Sequence, residues 1–285
     1  MVLEDIAGYV VELLDGSKNR VSPEKAISPE LAGMRMYDFG AIGSARANDE
    51  LFREFTNPGV IGPHFMPPRE WMPEAASVVS VFFKVTDRVI KSMEESPYWP
   101  SPEWLHTCIE GQAFITWAML SLADEIKRLG AAAMVPTEDA RFSVVNYNKD
   151  GKKFHGASYT SNWSERHVAY ACGLGTFGLS KGIITKVGTP GRFGSVVTSL
   201  CLPKAKREYG SPYEFCVMCG KCAENCLAGA ITKEHGKDHS ICAAFIGRTK
   251  ERFFPRYGCE RFSPRYGCGR CQISVPCMSG PPRRA

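Results

Sequence analysis

Cys216, Cys219, Cys222 and Cys226 follow one another with gaps of two, two and three residues. A loop with two residues between thiols sets three of them on three corners of one iron–sulfur cubane. The fourth cysteine, displaced by one further residue, turns away to ligate a different cluster. A zinc ribbon would instead use two separated pairs. Nine of the 12 cysteines lie between Cys216 and Cys277, whereas a disulfide scaffold is short and evenly studded. The N-terminus, Met1-Val2-Leu3-Glu4-Asp5, has neither the basic nor the apolar region of a signal peptide. Metal ligation in a reducing, cytoplasmic compartment is therefore expected. No apolar run approaches the roughly 18 residues that span a bilayer, so no membrane partner is expected.

The motif demands a partner segment, and Cys268-x2-Cys271 with Cys277 supplies one. Cys242, between the two segments, completes the set. The assignment is Cys216, Cys219, Cys222 and Cys277 on one cluster, and Cys226, Cys242, Cys268 and Cys271 on the other. Cys259 is spare. It could replace Cys268, but only Cys268 pairs with Cys271 across two residues. This choice arises from a local duplication: Arg252-Phe253-Phe254-Pro255-Arg256-Tyr257-Gly258-Cys259 is followed by Arg261-Phe262-Ser263-Pro264-Arg265-Tyr266-Gly267-Cys268. Eight thiolates close two [4Fe–4S] clusters with no open iron. Such clusters pass electrons singly and bind no substrate, so the remainder of the chain is expected to hold their terminus.

Net charge is +5, and from Ile241 to Ala285 nine Arg and Lys face only Glu251 and Glu260. A basic tail can meet nucleic acid. Here the simpler reading is that cations offset the negative charge of thiolate-ligated cubanes.

Apolar spacing predicts a helix over 2–15, closed by Gly16. Ala76–Val85 is a β-prone run suited to a strand covered on both faces. Ser101-Pro102 opens a long helix that runs to 129. Residues 142–147 read as a strand and 164–172 as a short helix. Residues 182–187 and 193–200 read as strands joined by the turn Gly188-Thr189-Pro190-Gly191. The stretch 38–68, rich in Gly, Pro and Asn, reads as a long irregular segment of the kind that lies over a ligand site. The expected organisation is an α+β domain over 1–205 followed by a cysteine-rich, ferredoxin-like domain over 206–285.

Ser164-Glu165-Arg166-His167-Val168-Ala169-Tyr170-Ala171-Cys172-Gly173-Leu174-Gly175-Thr176-Phe177-Gly178 resembles a segment of the cobalamin-dependent epoxyqueuosine reductases. In that family a Glu stands eight residues before a Gly-Leu-Gly. Phe193-Gly194 through Leu200, Met72 through Val79, and Tyr266 through Gln272 are similar to other segments of it. The resemblance implies a nitroreductase-like cobalamin domain, shared with the reductive dehalogenases. It implies a base-off corrin reduced by the two clusters. Gly173, Gly175, Ile183, Phe193 and Gly194 match positions near the corrin, and Cys268 and Gly269 match the loop where clusters meet cofactor. Glycine at such positions would let backbone approach a large flat ligand.

The sequence departs from that family in places. The family's proton-donating Asp, six residues before the matched Glu, is Tyr159 here. Tyrosine donates the proton in reductive dehalogenases, so Tyr159 is the candidate acid. A packed strand tyrosine is the structural alternative. Cys271-x5-Cys277 is two residues longer than usual, and Leu227 stands where Pro usually follows Cys226. The C-terminal repeats with which longer members handle RNA are missing from this sequence, so nucleic acid is an unlikely partner. His64 and Arg69 are further possible cofactor contacts, and His167 reads as structural.

The expected function is reductive removal of a leaving group or oxygen from a small molecule. An external ferredoxin or flavodoxin would supply the electrons. An electron carrier or corrinoid-reducing activase is the second possibility, and a tRNA-modifying enzyme the third.

Overall fold

The computed structural model describes residues 1–146, 159–253 and 266–283. Its centre is a four-stranded antiparallel sheet in the order β1-β2-β8-β3. These strands are β1 (Tyr37–Arg46), β2 (Ser77–Val85), β3 (Ala133–Met134) and β8 (Gly191–Thr198). β2 pairs on both edges and is covered on both faces. Only Lys84 of its nine residues escapes full burial, as its unbroken apolar run predicts.

Helices cover each face. Val79, Val81, Phe83 and Val85 pack with Ile6, Val10 and Leu14 of α1 (Leu3–Asp15) and with Ile115, Ala118, Met119 and Leu122 of α5 (Pro102–Arg128). Each such buried side chain contributes roughly 1.5–3 kcal/mol. The opposite face, through Val78 and Val197, meets Val168, Ala171 and Cys172 of α6 (Glu165–Ala171 with its C-cap). An aromatic group of Phe52, Phe55, Phe65, Trp71 and Trp163 packs there too. All but Trp163, which lies just before α6, are carried by α2 (Glu50–Glu54), α3 (Pro68–Trp71) and the chain between them. α4 (Asp87–Glu94) joins β2 to α5. The helix expected over 101–129 starts as its signals predict: the Ser101 hydroxyl accepts the Trp104 backbone N–H at 3.2 Å, and Pro102 is the first helical residue.

Three expectations need correction. Residues 37–46 are not irregular but form β1, the edge partner of β2. Its glycines are there for close approach. A Cβ on Gly43 would lie 2.1 Å from the Cys172 carbonyl oxygen, so only glycine lets the end of α6 sit on the sheet. The strand expected over 142–147 starts later: β4 (Val144–Asn146) pairs with β5 (Tyr159–Ser161), and Tyr147 lies outside the described residues. The two strands on either side of Gly188–Gly191 belong to different sheets, since β7 (Ile183–Thr185) pairs with β6 (Gly175–Phe177), and β8 with β2. Among its described residues the cysteine-rich part has little regular structure: α7 (Lys221–Glu224), the β9 (Ile231–Thr232)/β10 (Gly236–Lys237) hairpin and α8 (His239–Phe253). Among the described residues no helix is long and apolar enough to cross a membrane.

Candidate active site

α6 has two faces with different work. Glu165, Val168 and Ala169 turn toward the sheet, where the Ser195 hydroxyl donates to Glu165 Oε1 at 3.0 Å. Arg166, His167 and Tyr170, at the i, i+1 and i+4 spacing of one helical face, turn outward into a cleft of about 650 Å³. The opposite wall comes from the chain between Leu51 and Ile61. Part of the stretch expected to cover a ligand site therefore does line a cleft. The cysteine-rich part closes it with Tyr213, His235, Lys237 and His239. The cleft thus lies at the junction of the two regions.

Tyr159 lines this cleft at the start of β5 and is 45% exposed, so its ring is not packed in the core. It stands 6.3 Å from the His239 ring, centroid to centroid. Arg166 donates to the Lys181 carbonyl at 2.8 Å, and Lys181 Nζ reaches the Tyr213 hydroxyl at 3.2 Å. Lys181 adopts φ +61°, a left-handed conformation that costs a non-glycine residue about 1–3 kcal/mol. Burial, then the charges of Arg166 and Lys181, push His167 down to about 3. Burial, then Arg166, Lys237 and Lys181, push His239 down to about 4. Both imidazoles are neutral at pH 7. His64 Nε2 contacts the Thr160 hydroxyl at 2.7 Å at the cleft's edge, while Arg69 Nε donates to the Ala75 carbonyl instead.

Cys271 and Cys242 act electrostatically on Arg166 in the cleft wall. None of the described cysteines forms a disulfide. The Cys222 thiol is pushed up to about 12 by burial and by the charges of Cys271, Cys277, Cys216 and Cys219. Cys268 rises to about 12 through burial, with Cys271, Cys242 and Cys226 adding to it. Cys277 rises to about 11 through burial, with Cys216 and Cys219 adding. Cys277 thus feels Cys216 and Cys219, Cys268 feels Cys271, Cys242 and Cys226, and Cys222 feels Cys271 ahead of Cys277, Cys216 and Cys219. Asn225 ties the two segments together, its amide donating to the Ile273 and Ser274 carbonyls at 2.9 and 3.3 Å. Met218 (φ +50°) and Ser274 (φ +54°) hold the turns. Cys259 lies outside the described residues.

Among the described residues no three His, Cys, Asp or Glu side chains converge closely enough to hold one metal ion. A cubane needs no such convergence, because the cluster itself separates its thiolates. The surroundings fit one. Eight soft sulfur donors that repel one another as anions suit iron. Among the described residues the buried Trp104 indole N–H, beside Gly267 and Gly269 on either side of Cys268, has no hydrogen-bond partner, and a cluster sulfur would offer it an acceptor.

The positions matched to the corrin are mostly packed against protein. A Cβ on Gly175 would lie 2.0 Å from the Ile184 carbonyl oxygen, and one on Gly194 2.6 Å from Met119 Cγ. One on Gly173 would meet the Ala205 Cβ at 2.9 Å, and one on Gly269 the Trp104 ring at 2.2 Å. Ile183 is buried, and Phe193 stacks on Phe82 at 4.8 Å. These glycines answer to the fold. The cleft residues Arg166, Lys181, Lys237 and His239 were not identified from sequence. The polar 166/167/170 face of α6 was the available signal for the first of them.

No protein-family model matches the chain, and no curated protein matches it in sequence. Solved structures do. An epoxyqueuosine reductase bound to an epoxyqueuosine-modified tRNA-Tyr stem loop superimposes with a TM-score of 0.54 at 16% identity, over 99% of this chain and 66% of that one. An N-terminally tagged catabolic reductive dehalogenase gives 0.51 at 16% identity, over 98% of this chain and 37% of that one. A reductive dehalogenase described in terms of B12-dependent dehalogenation gives 0.47 at 16% identity, over 96% and 36%. The chain thus spans about two thirds of the length of the first and little more than a third of the others. The α+β architecture is the one shared by epoxyqueuosine reductases and reductive dehalogenases, and the likeness read from sequence holds at the level of fold. The expectation that nucleic acid is no partner has no support here, since one of these structures holds a tRNA stem loop.

Proposed function

We propose that this chain is a reductase that removes a leaving group or oxygen from a small molecule held in the cleft at the junction. The observation that carries this reading is Arg166. It lines the cleft beside Tyr159 and also lies in the field of Cys271 and Cys242, so one residue spans from the proposed second cluster to the proposed acid.

In this reading eight cysteines hold two [4Fe–4S] clusters, Cys216, Cys219, Cys222 and Cys277 the first, and Cys226, Cys242, Cys268 and Cys271 the second. Cys219 is exposed, so the first cluster is the place for an external ferredoxin or flavodoxin to deliver electrons. Cobalamin, when bound base-off in the cleft, supplies a strongly reducing metal centre for breaking the bond to the leaving group. The balance for a leaving group X is R–X plus two electrons and one proton, giving R–H and X⁻. Tyr159 supplies the proton from its phenol and regains one from water across its exposed face. Neutral His167 and His239 do not compete as acids at pH 7. Arg166, Lys181 and Lys237 orient the ligand, and the Leu51–Ile61 wall limits water.

The test is anaerobic reconstitution followed by addition of cobalamin. A base-off Co(II) spectrum supports the reading; iron and sulfide with no corrin bound would leave a carrier. Tyr159→Phe is expected to abolish turnover while iron and corrin content stay at wild-type levels. A second reading, an RNA substrate, draws on the +5 net charge and the excess of Arg and Lys after Ile241. Binding of a tRNA stem loop measured at two salt concentrations tests it.

A further inference from the structure

Three cations line the cleft. Arg166 on α6, Lys181 after β6 and Lys237 on β10 all line it. Among the described residues none of the three takes part in an ion pair, although 13 such pairs occur elsewhere, most of them on the surface. Among the described residues Glu54 is the one carboxylate lining the cleft. Like charges brought together repel one another, so an anionic ligand would be favoured there.

A second observation is independent of charge. Lys181 is held in the left-handed region at φ +61°. Its carbonyl is fixed by Arg166 and its ammonium is set against Tyr213. Non-glycine strain of this kind persists where surrounding structure imposes it, and it concentrates at ligand sites. Arg166 and Lys237 also face Cys271 and so offset the second cluster. Lys181 instead faces His167, His239 and Tyr213. The walls between the cations are aromatic: Phe55, Tyr170, Phe177 and Tyr213.

Resting on the reductase reading, we infer that Arg166, Lys181 and Lys237 form a receptor for the phosphate or carboxylate of a ligand with a flat apolar body. Arg166 offers a planar fork of donors, and the two lysines offer point charges. The neutral imidazoles of His167 and His239 add hydrogen bonds without adding charge. Two sources carry this chemistry, an anionic substrate and the phosphodiester in the nucleotide tail of cobalamin.

The experiment uses the full chain with clusters reconstituted, before and after loading with cobalamin. Calorimetric titration compares phenyl phosphate and benzoate with neutral benzamide. The two anions are expected to bind about tenfold more tightly than benzamide. Lys181→Gln should remove that difference, Lys181→Arg should keep most of it, and iron content and cluster spectra should not change. Anion binding that survives cobalamin loading identifies a substrate subsite. If Lys181→Gln instead weakens cobalamin but not cobinamide, which lacks the phosphodiester, the receptor holds the cofactor's tail. The proposal is overturned if Lys181→Gln and Lys237→Gln bind both anions and cobalamin as the wild type does. A chain that binds no corrin at all would sink the reductase reading, while the titration of the cobalamin-free protein would still decide this one.

Discussion

At the scale of single residues, Glu165 is a carboxyl group that the fold keeps protonated. Burial pushes it up to about 8, although hydrogen bonds with Ser195 and Trp163 pull the other way. Between its ordinary value and about 8 the unfolded chain gives up this proton and the native one keeps it. The stabilising contribution is therefore full at low pH and declines as pH rises toward 8. Glu165→Gln should raise Tm relative to wild type at pH 8, with the gain shrinking at pH 5. Parallel melting profiles at the two pH values would show that the carboxyl is ionised in the native state. Trp104 belongs to the same scale. Its indole N–H beside Cys268, unpartnered among the described residues, is expected to stabilise the reduced second cluster, because hydrogen bonds to cluster sulfurs help set the potential. Trp104→Phe should move one cluster's midpoint to a more negative value with iron content unchanged. An unmoved midpoint in a redox titration followed by electron-spin resonance would remove the sulfur contact from the account.

Elements depend on where glycine is required and where it is merely tolerated. Gly43→Ala drives a Cβ into the Cys172 carbonyl oxygen, and backbone cannot step aside as a flexible side chain can. The expected loss is about 2–4 kcal/mol by chemical denaturation. Gly8, inside α1 with nothing within 4 Å of a Cβ, is the counter-case: Gly8→Ala should gain about 0.5–1 kcal/mol. The same contrast explains which elements could be read from sequence. α1 and α5 announce themselves through caps and apolar spacing, and β2 through its unbroken apolar run. These are local signals. β1 carries Gly40 and Gly43 for contacts with Phe82 and Cys172, residues far along the chain, so locally it looks like a loop. The pairing of β6 with β7, rather than β7 with β8, is likewise decided by tertiary contacts.

Across the whole molecule, legibility follows how a site is assembled. The proposed cluster cysteines lie on two short segments tied by Asn225, with Cys242 on α8 between them, and their spacing in sequence is enough to nominate them. The cleft draws Tyr159, Arg166, Lys181 and Lys237 from β5, α6, the turn after β6 and β10, and no spacing connects them. Its acid could be named only through a family resemblance, and its cations only through the fold. The proposed path runs from a first cluster with an exposed ligand, Cys219, to a second cluster and on to a cleft lined by the proposed acid Tyr159. Everything in that path begins with two clusters. The most direct measurement is iron and acid-labile sulfide per chain after anaerobic reconstitution. The account predicts about eight of each, shared between two four-iron cubanes. A fully loaded protein with about four iron atoms or fewer, or with zinc at the thiols, would contradict it.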